Sequence, residues 1–171
     1  MTAPPVDETQ VSEVSDDNIM PSQELDVSAI SSSSEKDAIL NAVTQALKTI
    51  SKSALVLFVK EDDMVAVLGF GEHIDGNFDD YKISLSAPNM FQWVFQNKAE
   101  LSGLPQSGYL NDVFFKRFGG FVPEKIAIVP SVIEGEVVAA IYCEDPSSID
   151  DMKKVAEAMA GSFHRLLDLI W

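Results

Sequence analysis

The chain has 171 residues, room for one domain of ordinary size and not two, and its 46% apolar content is enough to bury a real core. Acidic side chains number 27 against 12 basic ones, a formal charge of −15. Such a charge repels phosphate backbones and anionic lipid, which argues against nucleic-acid and peripheral membrane binding.

Residues 1–34 hold seven acidic side chains, eight serines and no lysine, arginine or aromatic. A stretch of that kind buries too little apolar surface to offset an ordering entropy of roughly 1–2 kcal/mol per residue. It reads as a disordered acidic tail, contributing nothing to a core, ahead of one domain at 35–171. Ser15-Asp16-Asp17 has the form of an acid-directed phosphorylation site and Ile19-Met20-Pro21 that of a short docking motif, against the plainer reading of a solvating leader. No basic segment followed by an apolar one opens the chain, and no apolar run is long enough to cross a bilayer. Neither a secretory signal nor a membrane span is expected, and a cytoplasmic location follows as the default.

Ser34 precedes a helical stripe of Ile39, Val43, Ala46, Leu47 and Ile50, and is placed to cap its free amides. Ala54-Leu-Val-Leu-Phe-Val59 and Met64-Val-Ala-Val-Leu68 flank a polar turn and predict an antiparallel hairpin, apolar enough to lie inside a sheet with both faces covered. Residues 69–80 read as loop, and Tyr81–Ser86 alternates as a half-exposed third strand. Pro88 opens a helix to Lys98 with Met90, Phe91, Val94 and Phe95 on its buried side. Residues 99–110 are irregular, and a short helix over Asn111–Phe118 ends at Gly119-Gly120. A second hairpin joins Lys125–Ile133 to Glu136–Cys143 through Glu134-Gly135, a pair suited to a two-residue turn of positive φ. Pro130 lacks an amide proton and must sit at a bulge or on a free edge. Ser147 or Ser148 then caps a long last helix to about Ile170. The order α-β-β-β-α-(α)-β-β-α gives an α+β domain with an antiparallel sheet of five or six strands and helices packed on it.

That order resembles a GAF domain over residues 36–170. The resemblance rests on Ala54–Val59 following the first helix, and on Ile126-Ala-Ile-Val-Pro130 with Glu134–Tyr142 feeding a terminal helix. It implies a GAF-like regulatory and signalling domain that binds a small molecule between sheet and cover loops, or one that acts through protein contacts and dimerisation alone. Roadblock-type domains, scaffolds and regulators of small GTPases or motility systems, are the nearest rival, with two strands instead of three before the central helix. The cyclic-nucleotide subset of GAF domains carries an Asn-Lys-x-x-Phe-Asp-Glu motif, which Asn97-Lys98-Ala99-Glu100 lacks. Bilin attachment needs a cysteine in the cover region and sulfoxide reduction needs several, whereas the one cysteine here, Cys143, lies in a strand.

Catalytic and metal motifs are weak. A single cysteine excludes an intramolecular disulfide, a cysteine-based zinc site and a CxxC redox pair. Gly69-Phe-Gly71 has Ile74 where a dinucleotide loop needs its third glycine. Asp75-Gly-Asn77-Phe-Asp79 starts like a calcium loop, but Asp80 and Ser86 replace the required glycine and glutamate. His73, between Glu72 and Asp75, and His164, with Glu157 and Asp168, read as solvated side chains, and Cys143 as inert packing. No metal, cofactor or catalytic residue is expected; a small enzyme using the acidic loop around His73 is the reading set against a non-enzymatic domain.

Rings cluster in the segment that covers the pocket of GAF-like folds. Phe70, Phe78, Tyr81, Phe91, Phe95, Tyr109 and Phe114 are the pocket candidates, with Phe115, Phe118 and Phe121 beside them; they either line a cavity or fill it. In the last helix, Ile149, Met152, Ala156, Met159, Phe163, Leu166 and Ile170 are spaced 3-4-3-4-3-4, the seam of a helix packed along its length on another helix. With Trp171 at the helix tip, this predicts a homodimer on residues 36–52 and 149–171, through Ile39, Val43, Leu47, Met152, Met159, Phe163, Leu166, Ile170 and Trp171. Within one chain, the same stripes could instead cover each other and the sheet. Trp93, off the buried stripe of its helix, is a candidate for contact with a protein partner.

Overall fold

Strands that are apolar on both sides of the backbone are stable only inside a sheet covered twice. The computed structural model describes residues 25–74 and 78–170, with side chains to Leu167, and places the two apolar hairpins in that setting. The elements are α1 (Ser28–Ser32), α2 (Lys36–Lys48), β1 (Ser53–Lys60), β2 (Asp63–Phe70), β3 (Lys82–Ser84), α3 (Met90–Asn97), β4 (Leu101–Gly103), α4 (Tyr109–Arg117), β5 (Ile126–Ile133), β6 (Glu136–Glu144) and α5 (Ile149–Ile170). One six-stranded sheet runs β3-β2-β1-β6-β5-β4, every neighbouring pair antiparallel. The Ser15 and Ile19 motifs, Asp75–Asn77, Trp171 and the side chain of Ile170 lie outside the described residues.

Each hairpin carries a bulge. Val56 pairs with Leu68 and Leu57 with Ala66, leaving Val67 without a partner. Ser131 pairs with Ala139 and Val132 with Val137, leaving Val138 without one. An extra residue turns two successive side chains to the same face and bends the strand. Pro130 sits beside the second bulge, on the stretch of β5 beyond Ile128 where β4 has stopped pairing, so its missing amide proton costs no ladder bond. The β5–β6 turn uses Glu134 at φ 52° and Gly135 at φ 83°, as the Glu-Gly pair predicts.

The two sheet faces are packed differently. Leu55, Leu57, Met64, Ile126, Ile128 and Tyr142 face α3, α4 and the loop residues Ile74 and Tyr81. Ala54, Val56, Ala127, Val129, Ile141 and Cys143 face α2 and α5. A buried hydroxyl ties α5 to the sheet, Ser131 Oγ donating to the Ala156 carbonyl at 2.7 Å. α3 is capped by Asn89, whose side-chain oxygen accepts from the amides of Phe91 and Gln92. Ser148 Oγ accepts from the Asp151 amide at the start of α5, as expected.

Three expectations are corrected. β4 forms within the stretch read as irregular, because three residues carry no periodicity and pair only where β5 offers an open edge. α2 begins at Lys36 with Glu35 in the cap position, one residue too late for Ser34 to reach its amides. The boundary at residue 34 also moves: α1 lies within the supposed tail and Ile30 is 1% exposed, wedged against α2 and α5. Ser162 Oγ donates to the Ile30 carbonyl at 2.6 Å, and Arg165 donates to the Ser31 carbonyl. One apolar residue in a polar run has no period of its own, so only the cleft between the two helices reveals its role.

Because Ile30 is fully enclosed, Ile30→Ala should lower unfolding stability by about 2–4 kcal/mol in urea titration, from lost transfer energy and the cavity left behind. A change under about 0.5 kcal/mol, the usual scale of surface substitutions, would mean that the strap is not part of the core.

Candidate functional site

On the α3–α4 face the rings fill their own space. The Phe114 centroid lies 4.9 Å from that of Tyr142, 5.1 Å from Phe118, 5.2 Å from Phe91, 5.3 Å from Phe115 and 5.8 Å from Tyr81, mostly edge to face. Of the pocket candidates, Tyr81, Phe91 and Phe114 meet in this cluster, with Phe78 and Phe95 packed at its edge. Phe70 belongs to the opposite face, under the Lys48 ammonium at 5.7 Å, and Tyr109 is 81% exposed. The bulge at Val67 accounts for Phe70: it shifts the alternation of β2, so Leu68 and Phe70 turn towards α2. Burial raises the Tyr81 and Tyr142 hydroxyls far above the ordinary phenol range, so both keep their protons.

A cavity of about 650 Å³ opens instead at the end of the sheet, between the loops after α2 and β6 and the cover loops. Glu144 reaches into it from the last position of β6. Its carboxylate accepts from Tyr142 Oη at 3.0 Å and from the Ser53 hydroxyl. Burial raises the Glu144 carboxyl above its ordinary range, against the hydroxyl bonds and the field of His73, which favour the ion. Ser51 Oγ shares its one proton between the Glu144 and Ser53 carbonyls, 2.5 and 2.8 Å away, stapling the loop after α2 to the end of the sheet. Across the cavity His73 stacks on Phe121, centroids 4.6 Å apart. Gly71 packs directly on Ser53 beneath this wall: at φ +120°, a Cβ there would lie 2.2 Å from Ser53 Oγ and 2.7 Å from its Cα.

His73 belongs to the cavity wall, and His164 Nε2 lies 3.4 Å from Glu134 Oε1, in the β5–β6 turn. Beside it Lys153 bridges to Glu100 at 2.8 Å, tying α5 to the start of β4. Cys143 is buried and its thiol is pushed up to about 12 by burial, too high for a thiolate nucleophile. Among the described residues no group of three or more His, Cys, Asp or Glu is placed to hold a metal ion, and no helix is long and apolar enough to cross a membrane.

The interface candidates divide. Ile39, Val43, Leu47, Met152 and Met159 are enclosed within the chain, so the expected pairing surface is corrected there: the seam of α5 is spent on the sheet and α2. Phe163 and Leu166 remain half-buried and Leu167 is 46% exposed. With Phe58, Val59 and Val138 they wall an apolar groove of about 400 Å³ between α5 and the sheet, Phe58 and Phe163 packing edge to face at 5.2 Å. Trp93 is 43% exposed on α3, off its buried stripe as expected. Sequence reasoning missed Glu144 and Tyr142; the available signal was a carboxylate closing an apolar strand two positions after a tyrosine, on the same face.

No protein-family model matches the sequence, and no curated protein matches it. Solved structures do. Residues 122 to 287 of a methyl-accepting chemotaxis protein superpose with a TM-score of 0.69 at 17% identity, covering 84% of this chain and 97% of that one. The GAF domain/HD domain protein from Geobacter sulfurreducens gives 0.61 at 10% identity, covering 85% and 98%. The GAF domain of a two-component sensor histidine kinase from Bacillus halodurans gives 0.61 at 12% identity, covering 81% and 100%. At these identities the likeness shows the fold, and the chain has a GAF-like α+β fold. Three strands precede α3, the feature that separates it from a roadblock-type domain.

The raised Glu144 carboxyl carries a stability consequence. A group that holds its proton more tightly in the fold than in the unfolded chain favours folding at low pH, and that contribution is lost as pH rises through the folded value. Wild-type stability should therefore fall, relative to Glu144→Gln, as pH rises upward from the ordinary carboxylate range of about 4. Urea unfolding of both forms across this window checks it; parallel curves would show that Glu144 titrates normally.

Proposed function

We propose that this GAF-like domain is a non-enzymatic regulatory module that acts in the cytoplasm through protein contacts, and that it pairs into a homodimer along the groove between α5 and the sheet. The observation that carries the reading is the continuous apolar groove walled by the half-buried Phe58, Val59, Val138, Phe163 and Leu166 and the exposed Leu167. The ring-filled α3–α4 face supports contact rather than a large enclosed ligand there. A buried, protonated Cys143 suits both a reducing compartment and the absence of thiol chemistry. The chemotaxis protein and the sensor histidine kinase among the similar structures support a regulatory role.

Pairing through α5 keeps the terminal helix at the interface but uses its outer side, the seam being already covered. Trp93, on the opposite face of the sheet, then serves a different protein partner without competing with the second copy.

The full chain at tens of micromolar should scatter light as a species of about twice its 18.7 kDa. Phe163→Glu combined with Leu167→Glu should weaken pairing by at least about tenfold while leaving the far-ultraviolet circular dichroism unchanged. A wild-type species that stays at 18.7 kDa at every concentration overturns the dimer.

A further inference from the structure

The end-of-sheet cavity is built differently from the groove. We propose that it is a binding site for a small organic cation, a primary ammonium carried on a flat apolar body. Its volume of about 650 Å³ lies within the 300–1,000 Å³ of typical small-molecule sites. At its floor the Glu144 side chain is held in place by two neutral hydroxyls, those of Tyr142 and Ser53. Burying a carboxylate is costly; the field of His73 offsets part of that cost, and an entering ammonium adds a direct countercharge while the hydroxyls keep the acceptor oriented.

Three further features select the sign and shape of the ligand. The loop leaving α2 lines the cavity with Thr49, Ile50 and Ser51, so the carbonyl end of a 13-residue helix, which carries partial negative charge, borders the site. The stacked His73 and Phe121 rings form a flat wall whose π-face accepts an apolar body or a cation. Glu72 and Asp145 stand with Glu144 around the cavity. Of the two lysines at its rim, Lys48 turns its ammonium over Phe70 on the other face of the sheet and Lys52 is exposed to solvent. Glu72, Asp145 and Lys52 are all solvent-exposed, so the buried charge that a ligand meets is Glu144, beside a helix C-terminus; both repel an anion and attract a cation.

This inference does not rest on the homodimer. Benzylamine, benzyl alcohol and phenylacetate share one ring and differ in charge, so amide-resolved NMR titration of the full chain at neutral pH separates the cases. Benzylamine should shift the amides of Ser51, Ser53, His73, Phe121 and Glu144 saturably, with the neutral and anionic probes at least about tenfold weaker. Glu144→Gln, of equal size and uncharged, should weaken benzylamine by about tenfold or more. Phe121→Ser, on an exposed loop position, supplies an independent test if that variant fails to fold, with an expected loss of about threefold or more. Phenylacetate binding as tightly as benzylamine, shifts that map elsewhere, absence of saturation, or undiminished binding by a folded Glu144→Gln each overturn the proposal. Light scattering on the same samples reports pairing through α5 separately, so either reading can fail alone.

Discussion

Pairing of β1 with β6 at the middle of the sheet is the constraint on which the rest depends. Both strands carry apolar side chains on both sides, so each face must be covered by an independent layer. One layer is made from the segment between β3 and β5 and the other from the chain before β1 and after β6. Local elements far apart in sequence are thereby brought together: Ile30 meets Ser162, and the loop after α2 meets the end of β6. Loss of that central pair would remove the reference surface for every helix at once.

The two layers solve the covering problem in different ways. The α3–α4 layer packs rings around Phe114 in edge-to-face contacts, which fill volume efficiently and leave the pocket of the fold occupied by the protein's own side chains. The α2–α5 layer uses aliphatic and methionine side chains, with α1 laid across both helices. It runs out of cover near the C-terminal half of α5, where Phe163, Leu166 and Leu167 wall a groove with Phe58, Val59 and Val138. Empty space survives at the margins of the two layers, at the sheet's end and beside α5.

Charge follows the same division. Among the described residues, the carboxylates sit mostly on loops and exposed helix faces, where water solvates them. Glu144 is different because it closes a strand whose other residues are core, so the strand carries it inside with the apolar residues. Tyr142 and Ser53 satisfy it with hydrogen bonds, which hold its orientation without neutralising its charge. Fold and electrostatics are linked at this one position.

Local chemistry determined much by itself. The unbroken apolar runs of β1 and β6, the stripe of α2, the Glu134-Gly135 turn and the free edge required by Pro130 were all legible, since each is a property of a few adjacent residues and a fixed backbone period. Tertiary structure decided what those elements face. A seam of 3-4 spacing shows that α5 has an apolar side, but only the positions of the sheet and α2 show that Met152 and Met159 are consumed within the chain while Leu167 is left over. Ile30 and β4 were invisible because their stabilisation comes from partners distant in sequence. His73, Phe121, Ser53 and Glu144 converge for the same reason: a sheet places strand ends and cover loops side by side according to pairing order, and side-chain periodicity along one segment carries no information about which other segment lies across from it.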